Sequence, residues 1–244
     1  MKHVILPDNV RRSLAFYLAM EEFVASEVEG EAFFVWRVEP TVIYRRNQVL
    51  ENEVNLKYCK ERDVDIVRRK SGGGCVYSDM GNIMISYVSG HGCVSEVFDR
   101  YMTALTDALR SLGVPAEKSG RNDILVEGRK VSGNALHQLP DRSIVHGTLL
   151  YSTDLEALTE AIRPPVEKLQ RHGVESVRQR VMNLSEYVSQ MSEPAAELLS
   201  PEALERYLVK YFTDGEIFLT GADVENIELI TNTYGRQSFE NMSL

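Results

Sequence analysis

The chain has 244 residues, of which 43% are hydrophobic and 26% charged, with a formal net charge of −9. That length suits one large domain of ordinary globular composition, and no apolar run nears the roughly 20 residues of a membrane span. The acidic balance argues against a general nucleic-acid binder, because basic contacts to phosphate supply most of that affinity.

Cys59, Cys75 and Cys93 are too few and too far apart for a disulfide framework or a zinc pattern. The stretch Met1-Lys2-His3-Val4-Ile5-Leu6-Pro7-Asp8 is too short in apolar residues for a secretory signal. Free thiols fit a reducing compartment, and the cytoplasm is the expectation.

In chain order, Ser13 to Val28 reads as a helix with Phe16, Met20, Phe23 and Val24 on one face. Extended runs follow at Ala32–Trp36 and Thr41–Tyr44, broken by Pro40, and Asp65-Ile66-Val67 leads into a glycine run. Cys75–Tyr77 and Ile83–Val88 read as strands joined by the turn Asp79-Met80-Gly81-Asn82. Glu96 to Leu112 is a helix that Ser95 caps, buried along Val97, Tyr101, Leu105, Ala108, Leu109 and Leu112, and stopped by Gly113 and Pro115.

Asp123–Val126, Val131–Leu136 and Ile144–Tyr151 read as further strands. Asp154 opens a helix that Pro164-Pro165 ends, and Ser200-Pro201 opens another through Phe212. Met191 to Ser200, with Pro194 and several small or acidic residues, is a weak linker candidate. The expected class is α+β, with a mixed or antiparallel central sheet flanked by helices in a single domain over residues 1–244.

Two segments concentrate the chemistry. Ser71-Gly72-Gly73-Gly74, preceded by Arg69-Lys70, lets a ligand approach bare backbone. No Gly-Lys-Ser/Thr follows it and no helix opens after it, so it is neither a Walker A loop nor a dinucleotide fingerprint; its bland reading is a hairpin turn. Lys130, in Arg129-Lys130-Val131-Ser132-Gly133, suits an anionic phosphate or carboxylate, against the commoner fate of an exposed strand lysine. Together the segments suggest a site where a carboxylate meets a nucleotide.

Gly120-Arg121-Asn122-Asp123 offers a carboxylate to orient Lys130 or hold Mg²⁺, or is simply a turn. His146 touches the ligand or is a satisfied core histidine. Cys75 has no neighbouring base in sequence and reads as a pocket-lining residue rather than a nucleophile. Arg178 and Arg180 face a phosphate, an acidic partner or solvent.

Five ordered stretches, Arg69–Asn82, Gly120–Asp123, Arg129–Gly133, His146–Leu150 and Val177–Leu184, together resemble the lipoate–protein ligase family. The resemblance implies the catalytic fold shared by biotin and lipoate ligases, related to class II aminoacyl-tRNA synthetases. It implies that lipoate and ATP, with Mg²⁺, give lipoyl-AMP. The lipoyl group then passes to a lysine of an acceptor domain, on a 2-oxoacid dehydrogenase E2 subunit or the glycine-cleavage H protein.

By position, Lys130 would be the catalytic lysine at the activated carbonyl. Arg69, Gly72, Gly73, Gly74, Cys75, Val76 and Tyr77 would line the lipoyl and adenylate site, with Ser132, Gly133, His146 and Gly147. Asn82 and Asp123 would serve loop shape and metal or adenylate contact.

The pattern departs at Arg45, where a glycine is usual, at Val49, for asparagine, and at Ser78 and Val145, each for histidine. The chain also stops about where an accessory domain begins in many bacterial relatives, so the expectation is a catalytic domain without it, completed by a separate accessory protein or acting alone. The rival readings are a lipoyl or octanoyl transferase using a preformed adenylate or a carrier, and a lipoate-binding relative without catalysis.

Overall fold

The computed structural model describes residues 1–45, 49–90, 92–120, 122–162 and 180–234. Arg121, Pro164-Pro165, Val177, Arg178 and Gln179, named from the sequence, lie outside the described residues, as do residues 46–48 and 235–244.

The main sheet is mixed and eight-stranded. Its order is β11 (Gly215–Phe218), β1 (Lys2–Ile5), β2 (Ala32–Trp36), β6 (Asn82–Val88), β10 (Ser143–Leu150), β9 (Arg129–Gln138), β8 (Asp123–Val126) and β7 (Ala116–Ser119). A second sheet has three strands, β4 (Asp65–Arg69), β3 (Thr41–Arg45) and β5 (Val76–Ser78). Eight α-helices are described: α1 (Leu14–Glu27), α2 (Leu50–Glu53), α3 (Leu56–Glu61), α4 (Val94–Ser111), α5 (Leu155–Ala161), α6 (Leu184–Val188), α7 (Pro201–Phe212) and α8 (Gly221–Thr231). No described helix is long and apolar enough to cross a membrane.

Strand alternation divides the large sheet into two faces, and each face has its own core. Phe33, Ile83, Ile85, Tyr87, Val131, Val145 and Leu149 pack with α4, α6 and α7. Phe34, Trp36, Met84, Val88 and Ile144, one residue out of step along the same strands, pack with α1 and α8. The small sheet builds a third cluster with α2, α3 and α5, around Val42, Tyr44, Ile66 and Tyr77.

Helix α1 is more deeply sunk than a one-faced amphipathic helix. Leu14, Ala15, Phe16, Leu18, Ala19, Met20, Phe23, Val24 and Ala25 are all buried, because the sheet, β4 and α8 enclose it. A helix covered on most sides needs apolar residues on most sides. Ser13 caps it, accepting from the Phe16 amide. At its other end the Arg142 guanidinium donates to the carbonyls of Ala25 (3.2 Å), Val28 (2.5 Å) and Gly30 and to that of Ser89 (2.7 Å). An arginine from β10's approach thus satisfies carbonyls that a helix terminus leaves without intrahelical partners.

Several expectations need correction. Helix α4 begins at Val94 with Cys93 at the N-cap, so Ser95 lies inside the first turn and caps nothing. Met191 to Ser200 is no linker: Leu198 is fully buried and its carbonyl accepts from the Tyr151 hydroxyl at 2.7 Å. The glycine run is not a hairpin turn either. β4 and β5 flank β3 on opposite sides, parallel and antiparallel to it, so residues 70–75 cross over the end of β3. Strands β1, β7 and β11 and helix α8 carried too short or too polar a pattern to announce themselves in sequence.

Candidate active site

Lys130 owes its position to one extra residue. β8 and β9 pair as Asp123 with Gly133 and Ile124 with Ser132, but then Leu125 with Lys130, leaving Val131 as a bulge. Asp123 and Leu125 share a face of β8, so their partners Gly133 and Lys130 share one too, although they are three residues apart. Regular alternation would have sent Lys130 to the opposite face.

Instead its ammonium lies 2.7 Å from Asp123 Oδ1, with both side chains about one-third exposed. A β-carbon on Gly133 would sit 2.7 Å from Lys130 Nζ, so the glycine makes room for the lysine. Beyond the bulge the segment 180–182 takes β10's place beside β9. The Lys130 amide donates to the Arg180 carbonyl at 2.6 Å, and Met182 N–H to the Lys130 carbonyl at 2.9 Å. The described part of the Val177–Leu184 stretch is therefore Lys130's neighbour, and Arg129 joins it by donating to the Val181 carbonyl at 2.9 Å.

The glycine loop lies over this same face. A β-carbon on Gly73 would be 3.8 Å from that of Ala135, which alternates with Gly133 along β9. Gly73 has φ +100°, a conformation glycine adopts freely. Arg69 is buried beneath the loop and holds it: Nε donates to the Gly72 carbonyl at 3.0 Å and Nη2 to that of Gly74 at 2.6 Å. Burial lowers the guanidinium's pKa but leaves it charged at neutral pH. Arg69 is thus placed as the clamp of the loop, with two of its five donors on loop carbonyls. Gly72 and Gly74 have no heavy atom within 4 Å of where a β-carbon would stand, and remain open to a ligand.

A buried polar chain runs under the loop, and only one of its members was singled out from sequence. Ser71 Oγ is 2.8 Å from His146 Nε2, and His146 Nδ1 is 3.0 Å from Glu21 Oε2. Glu21 Oε1 accepts from Ser86 Oγ at 2.6 Å, and Ser86 accepts from Trp36 Nε1 at 2.9 Å. Glu21, Ser71, Ser86 and His146 are each buried. Glu21 is a carboxylate in the middle of an apolar helix, and that local conflict was the one signal that might have found it. Next to the chain, Lys70 pairs with Glu22 at 2.9 Å and sits 4.5 Å over the Tyr234 ring.

The other expected residues separate. Ser132 and Gly147 belong to the opposite face of the sheet. A β-carbon on Gly147 would collide with Asn134 Oδ1 at 2.0 Å and approach the Tyr101 hydroxyl at 2.8 Å, and Ser132 is bonded to Asn134. Val76 packs with the α1 cluster, whereas Tyr77 is core under the small sheet. Asn82 is fully buried and donates to the Tyr77 carbonyl at 3.5 Å, fixing the turn. Cys75 flanks the third cluster, and burial pushes its thiol up to about 12. Val145 is core on the α4 face and Ser78 is buried in β5, while Val49 is exposed and Arg45 ends β3.

Among the described residues no three His, Cys, Asp or Glu side chains gather to hold a metal ion, and Asp123 is engaged with Lys130. The described residues do not form a protein-built Mg²⁺ cage.

Residues 13–213 match the lipoyl protein ligase A/B catalytic domain. The chain belongs to that family. Within it, this chain is 37% identical over 222 residues to lipoate–protein ligase 1 of Staphylococcus aureus, covering 88% of this chain and 66% of that one. It is 37% identical over 174 residues to a lipoate–protein ligase of Bacillus subtilis, covering 70% of this chain and 53% of the other. The chain thus spans between half and two thirds of the length of these curated relatives.

The fold matches the bipartite lipoate protein ligase of Thermoplasma acidophilum with a TM-score of 0.78 at 24% identity, covering 95% of this chain and 92% of that one. It matches an ATP-bound lipoate–protein ligase A with a TM-score of 0.76 at 23% identity, covering 95% and 94%. The α+β architecture expected from sequence is therefore that of this family of catalytic domains.

Proposed function

We infer that this catalytic domain activates lipoate with ATP and passes the lipoyl group to a lysine of an acceptor domain. The observation that carries the reading is Lys130, turned by the Val131 bulge onto the face that the glycine loop covers, and paired with a single carboxylate it can exchange.

A free carboxylate is a poor acylating agent, so its oxygen first attacks the α-phosphorus of ATP and pyrophosphate leaves. Negative charge builds on the phosphoryl oxygens, and a positioned cation stabilises it. Lys130 exchanges Asp123 for the carboxylate and phosphate oxygens, and Asp123 holds the ammonium in place beforehand. The open backbone at Gly72 and Gly74 gives N–H groups to the anion. Mg²⁺ would arrive on the nucleotide's own phosphate oxygens, as this hard cation usually does.

In the second step the acceptor's ε-amine attacks the acyl carbonyl, AMP leaves and the amine's proton is lost. No enzyme thioester is required. Cys75, with its thiol near 12, carries too little thiolate at neutral pH to serve as the nucleophile of a carrier-dependent transferase.

The acceptor is proposed by likeness: the Thermoplasma relative was solved as an archaeal lipoylation system with its E2 lipoyl domain. E2 lipoyl domains, with the glycine-cleavage H protein beside them, are the acceptors to test. Purified chain is incubated with acceptor domain, lipoate, ATP and Mg²⁺, and in parallel with lipoyl-AMP. Modification in both arms supports a self-sufficient ligase. Modification with lipoyl-AMP alone assigns this chain the transfer step and activation to a partner protein. No modification in either arm sinks the reading.

A further inference from the structure

The direction of each proton in the buried chain follows from donor and acceptor chemistry. Trp36 Nε1 only donates, so Ser86 accepts from it and spends its own hydroxyl proton on Glu21. An ionised Glu21 only accepts, so His146 Nδ1 carries a proton toward it. With His146 neutral, Nε2 is then bare and takes the hydroxyl proton of Ser71. Ser71 has one proton, and in this state it points inward. The serine that opens the glycine loop then turns only lone pairs toward a ligand, which repel a carboxylate.

Protonating His146 reverses the last link. Nε2–H donates to Ser71 Oγ, and the serine hydroxyl proton is released to point outward. Glu21 receives Nδ1–H in both states.

We propose that Glu21 and His146 are positioning residues that set the hydrogen-bond polarity of Ser71, so that a carboxylate substrate binds the glycine loop together with one proton taken up on His146. The proposal rests on the carboxylate-activating function above and adds to it a proton stoichiometry and two residues that act through Ser71. The titratable and charged groups facing the pair are Glu22 on α1, Tyr101 on α4, His137 on β9, Arg69 on β4, Lys70 in the loop, and Tyr234 beyond α8. Glu22 is compensated by Lys70, which leaves Glu21 as the carboxylate in direct contact with the imidazole.

The test is calorimetric titration with lipoate and with octanoate, in buffers of differing ionisation enthalpy, over about pH 5.5 to 8.5, the range in which histidine side chains in general change charge. Neutral lipoamide is the control. The expected result is uptake approaching one proton per carboxylate bound, and affinity falling about tenfold per pH unit once His146 is neutral in the free protein. Lipoamide should bind with no such slope. Ser71→Ala should flatten the carboxylate slope, and Glu21→Gln should move the fall to lower pH.

Equal slopes for lipoate and lipoamide, or an unchanged slope in Ser71→Ala, overturn the proposal. Should Glu21→Gln fail to fold, the loop variant still decides. Nitrogen-15 spectra of the ligand-free protein test the relay without any substrate: neutral His146 should be the Nδ1–H tautomer, and the Nε2–H tautomer overturns it. If neither carboxylate binds at any pH, the function reading falls along with the ligand half of this one, and the tautomer still settles the relay.

Discussion

Lys130 reaches Asp123, at 2.7 Å, across a strand pair that regular alternation would have kept from bringing them together. The Val131 bulge supplies the half-turn. The ion pair is partly exposed, and such pairs contribute little to stability, about 0–1 kcal/mol. Its value lies in placing a cation.

Lys130→Ala should therefore leave the fold almost untouched and remove activation. Pyrophosphate release from lipoate and ATP should drop by about 10²–10³-fold, the scale for losing one donor to developing charge. Unfolding midpoints should agree with the parent within a few degrees. A large loss of stability with retained activity would reverse the assignment.

Two glycines should respond in opposite ways to the same substitution. In Gly133→Ala the new methyl meets the end of a flexible side chain, Lys130 Nζ at 2.7 Å, so the lysine is displaced and activity falls with little change in stability. In Gly81→Ala it meets backbone, the Ser152 carbonyl oxygen at 2.2 Å, and the turn before β6 has to move. That overpacking should cost about 1–3 kcal/mol or more. Thermal unfolding measured beside adenylation rates separates the two.

Arg142→Ala should destabilise without touching the site chemistry. It strips carbonyls at the end of α1 and at Ser89 of a charged donor. Hydrogen bonds to charged groups are worth about 1.5–3 kcal/mol each, and part of that is recovered by water at this half-exposed place. A midpoint lowered by roughly 5–10 °C is expected for a chain of this size. A shift below one degree would show that the guanidinium is not capping the helix.

Thiol labelling should discriminate the cysteines. Burial pushes Cys75 up to about 12, so at pH 8 only about one molecule in 10⁴ carries its thiolate. Cys93 is exposed, and its thiol is lowered by its bond to Ser95 and by amides of the α4 N-terminus. Iodoacetamide followed by mass mapping should find Cys93 modified first and the fully buried Cys59 and the partly buried Cys75 far more slowly, and Cys75→Ser should keep adenylation. Rapid loss of activity on selective alkylation of Cys75 would revive the cysteine transferase.

Strong local signals were legible. Ala32–Trp36 and Pro201–Phe212 run in the structure as the residues announced, because a short apolar run between turn residues and a Ser-Pro helix start are decided within a few residues. Ser95 failed as a cap because Cys93, with extended backbone, already holds the N-cap position before the first turn at Val94. Glu21 stayed hidden because its partner His146 lies 125 residues away, and a carboxylate in an apolar helix reads as a surface residue until the opposing strand is in place.

By itself the sequence determined the α+β class, most strands, half of the described helices, and the glycine-loop and lysine motifs, since each depends on side-chain period, turn chemistry or contiguous motif. Tertiary structure alone decided which residues share a face. The Val131 bulge carries Lys130 to the glycine-loop side, while Ser132 and Gly147, adjacent in sequence to residues that line it, turn to the α4 core. A strand reverses its side chains at every residue, so one bulge or one register step reassigns them. That choice is made by strand pairing across the whole sheet and leaves no local trace in the chain.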